Sequence, residues 1–365
     1  MKQKLRKNRL PLAALILALL SAFCVWRLHT VSRLLDSQKE AERWQGTGDL
    51  AFAQVTAFMP TNANLSLEQL YTFRADMAQK LKDASFDVAG RSGLYLDAWS
   101  AVTTVKIGGG RQSGEVQTFA VGGNFFDFHP LRLVSGNYLS PKDVMDDRVL
   151  LDRETAWLIF GASDVAGLSV TIDGMPYVVA GVYEHEKDSF SRHASDGSMT
   201  IYMGFDAYRR RHAELDKLAP VMAGVSTYEF VMAEPVKGFS YSAATEKFPV
   251  KSAVLVENSR RFEPERLLRL AKDGIERSMQ KGVNYTPYWE NAARAAEDRA
   301  VIWLIAAMVF GAFPVGLLLA YIIRGLTRGK RKLESDLLPR AKDGVEEAIR
   351  VRRRRRWEKQ HPGED

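Results

Sequence analysis

Residues 301–323, VIWLIAAMVFGAFPVGLLLAYII, carry no charge, and a helix needs roughly 20 apolar residues to cross the hydrocarbon of a bilayer. Glu297, Asp298 and Arg299 precede the run; Arg324, Arg328, Lys330, Arg331 and Lys332 follow it. Lysine and arginine accumulate on the cytoplasmic side, so the pattern predicts a transmembrane helix whose C-terminal end lies inside. A second apolar run, residues 10–26, stands behind the basic stretch MKQKLRKNR. A cleaved signal peptide, a lipoprotein signal and an uncleaved anchor all begin this way. Phe23 stands where a lipobox needs a small residue before Cys24, and bulky Val25 and Trp26 follow a poorly formed cleavage site. The residues favour the anchor, with the N-terminus inside and Trp26 and Arg27 at the outer interface. Leu28, Val31, Leu34, Leu35, Ala41 and Trp44 then recur at roughly helical spacing, which extends the anchor into a stalk ended by Gly46 and Gly48. Residues 288–299, YWENAARAAEDR, make a second helical stretch behind Pro287. Two antiparallel stalk helices are the simplest arrangement, with Trp289, Ala292, Ala293 and Ala296 against Leu28, Val31 and Leu35. Two independent helices on the membrane surface are the alternative.

Between the stalks the pattern is that of a folded head. Residues 50–59 read as an apolar strand closed by Pro60. Ser66 with Gln69 three positions on is a capping-box pattern, and Leu67, Leu70, Phe73, Met77 and Leu81 give residues 67–84 one apolar face. Residues 86–88, 101–107 and 115–121 are strand-like, the last two joined by a turn at Gly108, Gly109 and Gly110. Asp152 is placed to cap a helix over 153–160, which Gly161 ends. SVTIDGMPYVVAGVY predicts a hairpin about Asp173-Gly174. Residues 184–198 are polar and read as an exposed loop, and 199–203 as a strand. Strands over 227–232 and 253–256, a short helix over 243–248 and an amphipathic helix over 264–279 complete the head. Strand-helix-strand thus occurs at its start and again at its end, with short strands and many glycines between, which is an α+β head split by an insertion.

The resulting organisation is a cytoplasmic N-terminus (1–9), a first transmembrane helix (10–26), a stalk helix (27–49) and an extracytoplasmic α+β domain (50–285, inserted lobe about 122–203). A second stalk helix (286–300), a second transmembrane helix (301–323) and a basic cytoplasmic tail (324–365) follow. The expected location is the cell membrane, crossed twice, with both termini in the cytoplasm.

Several ordered features of the head resemble one family. They are Phe125-Phe126, the turn Gly136-Asn137-Tyr138, a helix ending at Phe160-Gly161, the Asp173-Gly174 hairpin, and Val179-Ala180-Gly181-Val182 closing it. Together they resemble the MacB-like periplasmic core domain of ABC-transporter permeases, over about residues 50–285. The resemblance implies a porter-like β-α-β lobe interrupted by a smaller β-rich lobe. It also implies a non-catalytic membrane subunit that couples a partner ATPase to the outer domain in export or mechanotransmission. The partners it implies are an ATP-binding subunit and either a second permease chain or a second copy of this one. One departure stands out: family permeases usually carry three membrane helices after the head, and here one precedes the tail. The competing reading is a membrane-tethered extracytoplasmic binding or sensing protein without an ATPase.

Composition changes this picture little. The formal charge of +7 sits at the ends, about +5 in residues 1–9 and about +6 from Arg324 onward, which is a topology signal rather than a nucleic-acid groove. A single cysteine, Cys24, allows no internal disulfide. The chain has no G-x-x-x-x-G-K-[ST] loop, since Gly329-Lys330 is followed by Arg331. His185-Glu186 begins like a zincin helix, but Ser189 stands where the second histidine belongs. His185 with His193, and the cluster Asp143, Asp146 and Asp147, read as solvated polar groups. No catalytic, cofactor-binding or metal residue is therefore expected. In the second span Pro314 is expected to kink or soften the helix, and Ala307-x-x-x-Gly311 and Ala312-x-x-x-Gly316 permit close helix approach. In the tail, Arg350 and Arg352 to Arg356, ending at Trp357, suit the anionic inner leaflet. Contact with an ATPase subunit and simple solvation compete with that reading; a nucleic-acid partner has no supporting fold.

Overall fold

The computed structural model describes residues 2–63, 65–86, 93–140, 147–195, 197–215, 224–273, 286–332 and 338–360. Its strands, in chain order, are β1 (Phe52–Phe58), β2 (Tyr95–Gly109), β3 (Gln112–Gly123), β4 (Arg132–Gly136), β5 (Arg148–Asp152), β6 (Ser169–Ile172), β7 (Met175–Glu184), β8 (Thr200–Gly204), β9 (Thr227–Ala233) and β10 (Val254–Glu257). The helices are α1 (Lys2–Ser32), α2 (Glu40–Gln45), α3 (Leu67–Asp83), α4 (Phe125–Phe128), α5 (Arg153–Phe160), α6 (Ser189–Ser195), α7 (Phe205–Leu215), α8 (Phe239–Lys247), α9 (Pro264–Asp273), α10 (Tyr288–Lys332) and α11 (Leu338–Gln360). They divide into two compact units, Arg27–Leu304 and Met1–Trp26 with Ile305–Asp365.

The larger unit is built on one sheet in the order β10-β1-β9-β2-β3-β8-β5-β7-β4, with β6 pairing β2 and β7. β1 and β2 both run antiparallel to β9, which lies between them. β9 and β10 likewise flank β1. The two strand-helix-strand units, β1-α3-β2 and β9-α8-β10, are therefore interleaved rather than side by side. α3 starts at the expected capping box, Ser66 and Gln69 each bonding the other's backbone. Its buried Leu70, Phe73, Met77 and Leu81 meet Tyr228 and Phe230 of β9 and Phe248 beyond α8. β9 is buried along its whole length, because the opposite face is covered too. There Leu96, Ala98, Phe119, Val121, Tyr183, Tyr202 and Val231 pack with Ala41 of α2, Phe125 and Phe128 of α4, and Tyr288 and Trp289 of α10.

The lobe expected about residues 122–203 shares this sheet, because the long β2–β3 hairpin carries the pairing straight into it. Its local features follow the sequence. Asp152 caps α5, Gly161 closes it at φ 72°, and Asp173 and Gly174 at φ 48° and 85° make the turn between β6 and β7. The one-turn α4 was not expected, nor were α6 and α7. α6 lies inside the segment read as a loop, started by Asp188, whose carboxylate accepts from the backbone N–H of Phe190 and Ser191. α7 has three consecutive arginines, and among its described side chains the buried apolar ones are Phe205, Ala207 and Tyr208. The strand expected at 86–88 and the far end of the helix expected to 279 fall on residues outside those described.

The stalk expected over 27–49 is interrupted. α1 stops at Ser32, a short 3-10 turn Asp36–Gln38 follows, and α2 resumes at Glu40. The break is held by side chains of the head: Gln54 donates to the Ser37 carbonyl at 2.8 Å and accepts from the Glu40 N–H at 3.1 Å. The second stalk and second span are instead one helix, α10. Its first turn is closed by the Pro287 carbonyl, which accepts from the N–H of Glu290 and Asn291, and it runs on through Pro314. As expected, Ala292, Ala293 and Ala296 pack with Leu28, Val31 and Leu35, but Trp289 belongs to the sheet's core instead. Arg27 lies over the Trp303 ring at 5.5 Å.

Two helices are long and apolar enough to cross a membrane over part of their length, within Arg9–Ser32 and Tyr288–Arg331. The Ser21 hydroxyl donates to the Ala307 carbonyl at 2.8 Å. A side chain on Gly311 would come 3.0 Å from that same hydroxyl oxygen. The small pair Ala307–Gly311 is thus used for close approach; nothing lies within 4 Å of a side chain placed on Gly316.

Gly122 has a steric role in the head, because a Cβ there would lie 2.3 Å from the Trp99 indole nitrogen. Gly122→Ala in the full-length chain is expected to cost about 1–3 kcal/mol by overpacking, with part of the loss recovered in Gly122→Ala/Trp99→Leu. Thermal unfolding in mild detergent measures both; a single variant that melts with the parent would refute the contact.

Candidate functional site: the joint between the head and its long helix

The residues that tie the head to α10 form a mostly buried polar layer. At its centre Arg261 is fully buried, and its Nη2 donates to Glu290 at 2.6 Å. Its Nε stands 3.9 Å from Glu297, two turns further along the same face of α10. Arg266 of α9 reaches Glu297 at 3.3 Å, and Arg294 reaches Glu290 at 2.9 Å. Burial works against the Arg261 charge, but the two carboxylates outweigh it and hold the guanidinium above its ordinary pKa. Such pairs add little stability over an apolar substitute, yet removing one partner alone is costly.

A second buried set links the interrupted stalk to the sheet. Asn258 donates to the Gln38 side chain at 2.8 Å and accepts from the Thr56 hydroxyl at 2.9 Å. Glu229 of β9 pairs with His129, whose ring lies tilted against Trp289 with centroids 4.5 Å apart. Arg43 bonds Glu40 at 2.9 Å and the Asp127 carbonyl at 2.6 Å. Burial raises the Glu40 pKa, with Arg43 opposing it. Tyr288 donates to Glu186 at 2.9 Å. A cleft of about 260 Å³ opens here, lined among others by Leu35, Ser37, His129, Arg132, His185 and Trp289. A larger groove of about 500 Å³ lies between α3 and α7, with Tyr71, Trp99, Phe126, Arg209 and Arg210 in its walls.

Among the described residues one group has metal-ligand types close together: Asp152, Glu154 and His185. The donor set does not fit an ion. One Asp152 oxygen accepts from the Thr155 N–H at 2.7 Å; the other accepts from the Thr200 N–H at 2.7 Å and meets His185 Nε2 at 3.0 Å. The buried carboxylate is occupied in holding α5, β8 and the end of β7 together. His193, the other histidine weighed as a ligand, is exposed on α6 and outside this group. Asp143 and Asp146 lie outside the described residues. Arg261, Glu229 and His129 were not singled out in the sequence; a buried charge has no local pattern to mark it.

Burial lowers the His185 pKa, but the hydrogen bond and charge of Asp152 overcome this and leave it raised. The pair therefore stabilises the fold fully below the unfolded value of about 6.5, and its contribution is lost as pH rises through the raised folded value. His185→Gln is expected to flatten that pH dependence of the melting temperature. Asp152→Ala is expected to cost about 3 kcal/mol or more through a lost cap and orphaned buried donors. Equal pH dependence in parent and His185→Gln would contradict the pairing.

The MacB-like periplasmic core domain family model matches residues 34–248, more than half of the chain. Among solved structures, the periplasmic region of MacB from Actinobacillus actinomycetemcomitans is 15% identical, covering 62% of this chain and 94% of that one, with a TM-score of 0.40. The extracellular domain of the noncanonic ABC-type transporter YknZ from Gram-positive bacteria is 15% identical, with coverages of 56% and 98% and a TM-score of 0.34. A domain of a putative permease protein from Porphyromonas gingivalis is 13% identical, with coverages of 56% and 87% and a TM-score of 0.32. No curated protein matches the chain. With the family model spanning β1 to β9 and α8, and an apolar helix on either side, the chain belongs to the MacB-like periplasmic core domain family.

Proposed function

We propose that this chain is the membrane subunit of an ABC-type export or mechanotransmission complex, carrying no catalysis of its own. It would couple a partner ATPase to the extracytoplasmic head. The observation that carries the reading is α10, one helix from Tyr288 to Lys332, about 67 Å long at 1.5 Å per residue. Its first turns are bound into the head's core by Trp289 and the Arg261 pairs. Its later turns include the second apolar span. A rod with those properties passes displacement at one end to the other without a substrate path through the bilayer. The basic residues flanking each span support a cytoplasmic side for both termini. The exposed arginines 350 and 352–356 of α11 suit the anionic inner leaflet, each worth about 1 kcal/mol close to the surface.

The groove between α3 and α7 favours a second reading, a tethered binding or sensing protein that works without an ATPase. Isolation from mild detergent separates the two. An ATP-binding subunit retained with the chain, and reduced at least about tenfold when residues 325–365 are removed, is the expected result. Repeated isolation without an ATPase, while extracytoplasmic ligands still bind the head, would favour the second reading.

A further inference from the structure

Between Trp289, which enters the sheet's core, and Trp303, the buried apolar face of α10 is made of alanines, Ala292, Ala293, Ala296 and Ala300, in one cluster with Val31, Leu35 and Leu267. Alanine seams have no large knobs to enter holes, so the packing resists separation of the elements much more than it resists their sliding or turning. Against this surface one long polar side chain stands out. Arg261, from the turn before α9, is buried to 0% exposure between two α10 carboxylates seven positions apart. Seven residues are about two helical turns, so both carboxylates lie on the face that the alanines also use.

We propose that Arg261 is the positioning residue that sets the register of α10 on the head. The forked guanidinium measures position along the helix because it engages Glu290 from one side and faces Glu297 from the other. Two further arginines flank the same carboxylates. Arg294 travels with α10 and keeps Glu290 company within the same helix. Arg266 stays with the head and holds Glu297 from outside. Displacing α10 therefore takes Glu290 away from Arg261, and Glu297 away from both Arg261 and Arg266, while Glu290 keeps Arg294. Buried ionic groups used to select one register, at no gain in stability over apolar residues, are the best-attested use of such pairs. Among the described residues, Arg261 Nε and Nη1 make no hydrogen bond, as expected of a pin selected for place rather than for full satisfaction. The consequence for coupling rests on the mechanical reading above: a rod that drives or follows the head must start from one defined position.

The register is measured without any ATPase, so failure of this inference is distinguishable from failure of that reading. Spin labels at Asn291→Cys on α10 and Lys251→Cys on the head, both exposed positions, are introduced into full-length chain with Cys24→Ser and reconstituted in lipid nanodiscs. The parent is expected to give one narrow distance distribution. Arg261→Met/Glu290→Met/Glu297→Met/Arg266→Met replaces the buried charges and the Glu297 partner on α9 with apolar volume, and is expected to melt close to the parent temperature. Its distance distribution is nevertheless expected to widen at least about twofold or split, since stability and register are separable in such pairs. Arg261→Lys keeps the charge but not the fork, and is expected to widen the distribution to a smaller extent; it also serves if the quadruple variant does not fold. An unchanged narrow distribution in the folded variants would overturn the inference and leave Trp289 and the aromatic core as sufficient to fix α10.

Discussion

One helix has to satisfy two solvents. α10 begins as part of a protein core, where Trp289 is enclosed by Phe119, Phe125 and His129, and later becomes a run of exposed Ile, Val, Leu and Phe. Water tolerates the second half poorly and lipid tolerates charges poorly, and the α10 carboxylates paired with arginines of the head are Glu290 and Glu297, both before the apolar run. Exposed apolar residues then dominate from Ile302 to Ile323. The head's architecture follows from that placement. Arg261, α9 and the broken first stalk are gathered around the first three turns of α10, because only there can charge and hydrogen bonding be used.

The same constraint explains why the sheet is covered on both faces. One face carries α3 and α8, whose apolar stripes are ordinary helix-on-sheet packing. The other would face water were it not for α2, α4 and the start of α10. Burying Tyr183, Tyr202, Phe119 and Phe125 beneath Tyr288 and Trp289 makes the base of the long helix part of the folding unit. A large aromatic lost from such a place costs about 3–5 kcal/mol. Helix and head are therefore one cooperative structure at this end, and the cleft beside Trp289 lies where the interrupted stalk, the β7 end and α10 meet.

Much of this was legible in the residues because it is local. The capping box at Ser66 and Gln69, the Asp152 cap, the Asp173-Gly174 turn and both apolar runs each depend on neighbours a few positions away. The family resemblance rested on several such signals in order, and the family match bears it out. What stayed hidden is what depends on distant partners. SFSRHAS has no apolar period, yet α6 forms because Asp188 caps it and Phe190 and Ala194 pack on the stalk cluster. FDAYRRRHAEL looks solvated, yet Arg211 is buried against Asp173. The break after Ser32 comes from Gln54 reaching the 36–40 backbone. Arg261, in the sequence ENSRRF, looks like half of an exposed basic pair; its neighbour Arg260 is indeed partly exposed and pairs with Glu257 and Glu263.

The proposed topology puts the head outside the cytoplasm and the arginine-rich helix inside it. Its most direct test is labelling of intact cells with a membrane-impermeant maleimide, in chain carrying Cys24→Ser and a single new cysteine. Tyr71→Cys, on the exposed side of α3, should react in intact cells, whereas Val345→Cys, exposed on α11, should react only after the membrane is permeabilised. Reaction at 345 but not at 71 in intact cells would contradict the account.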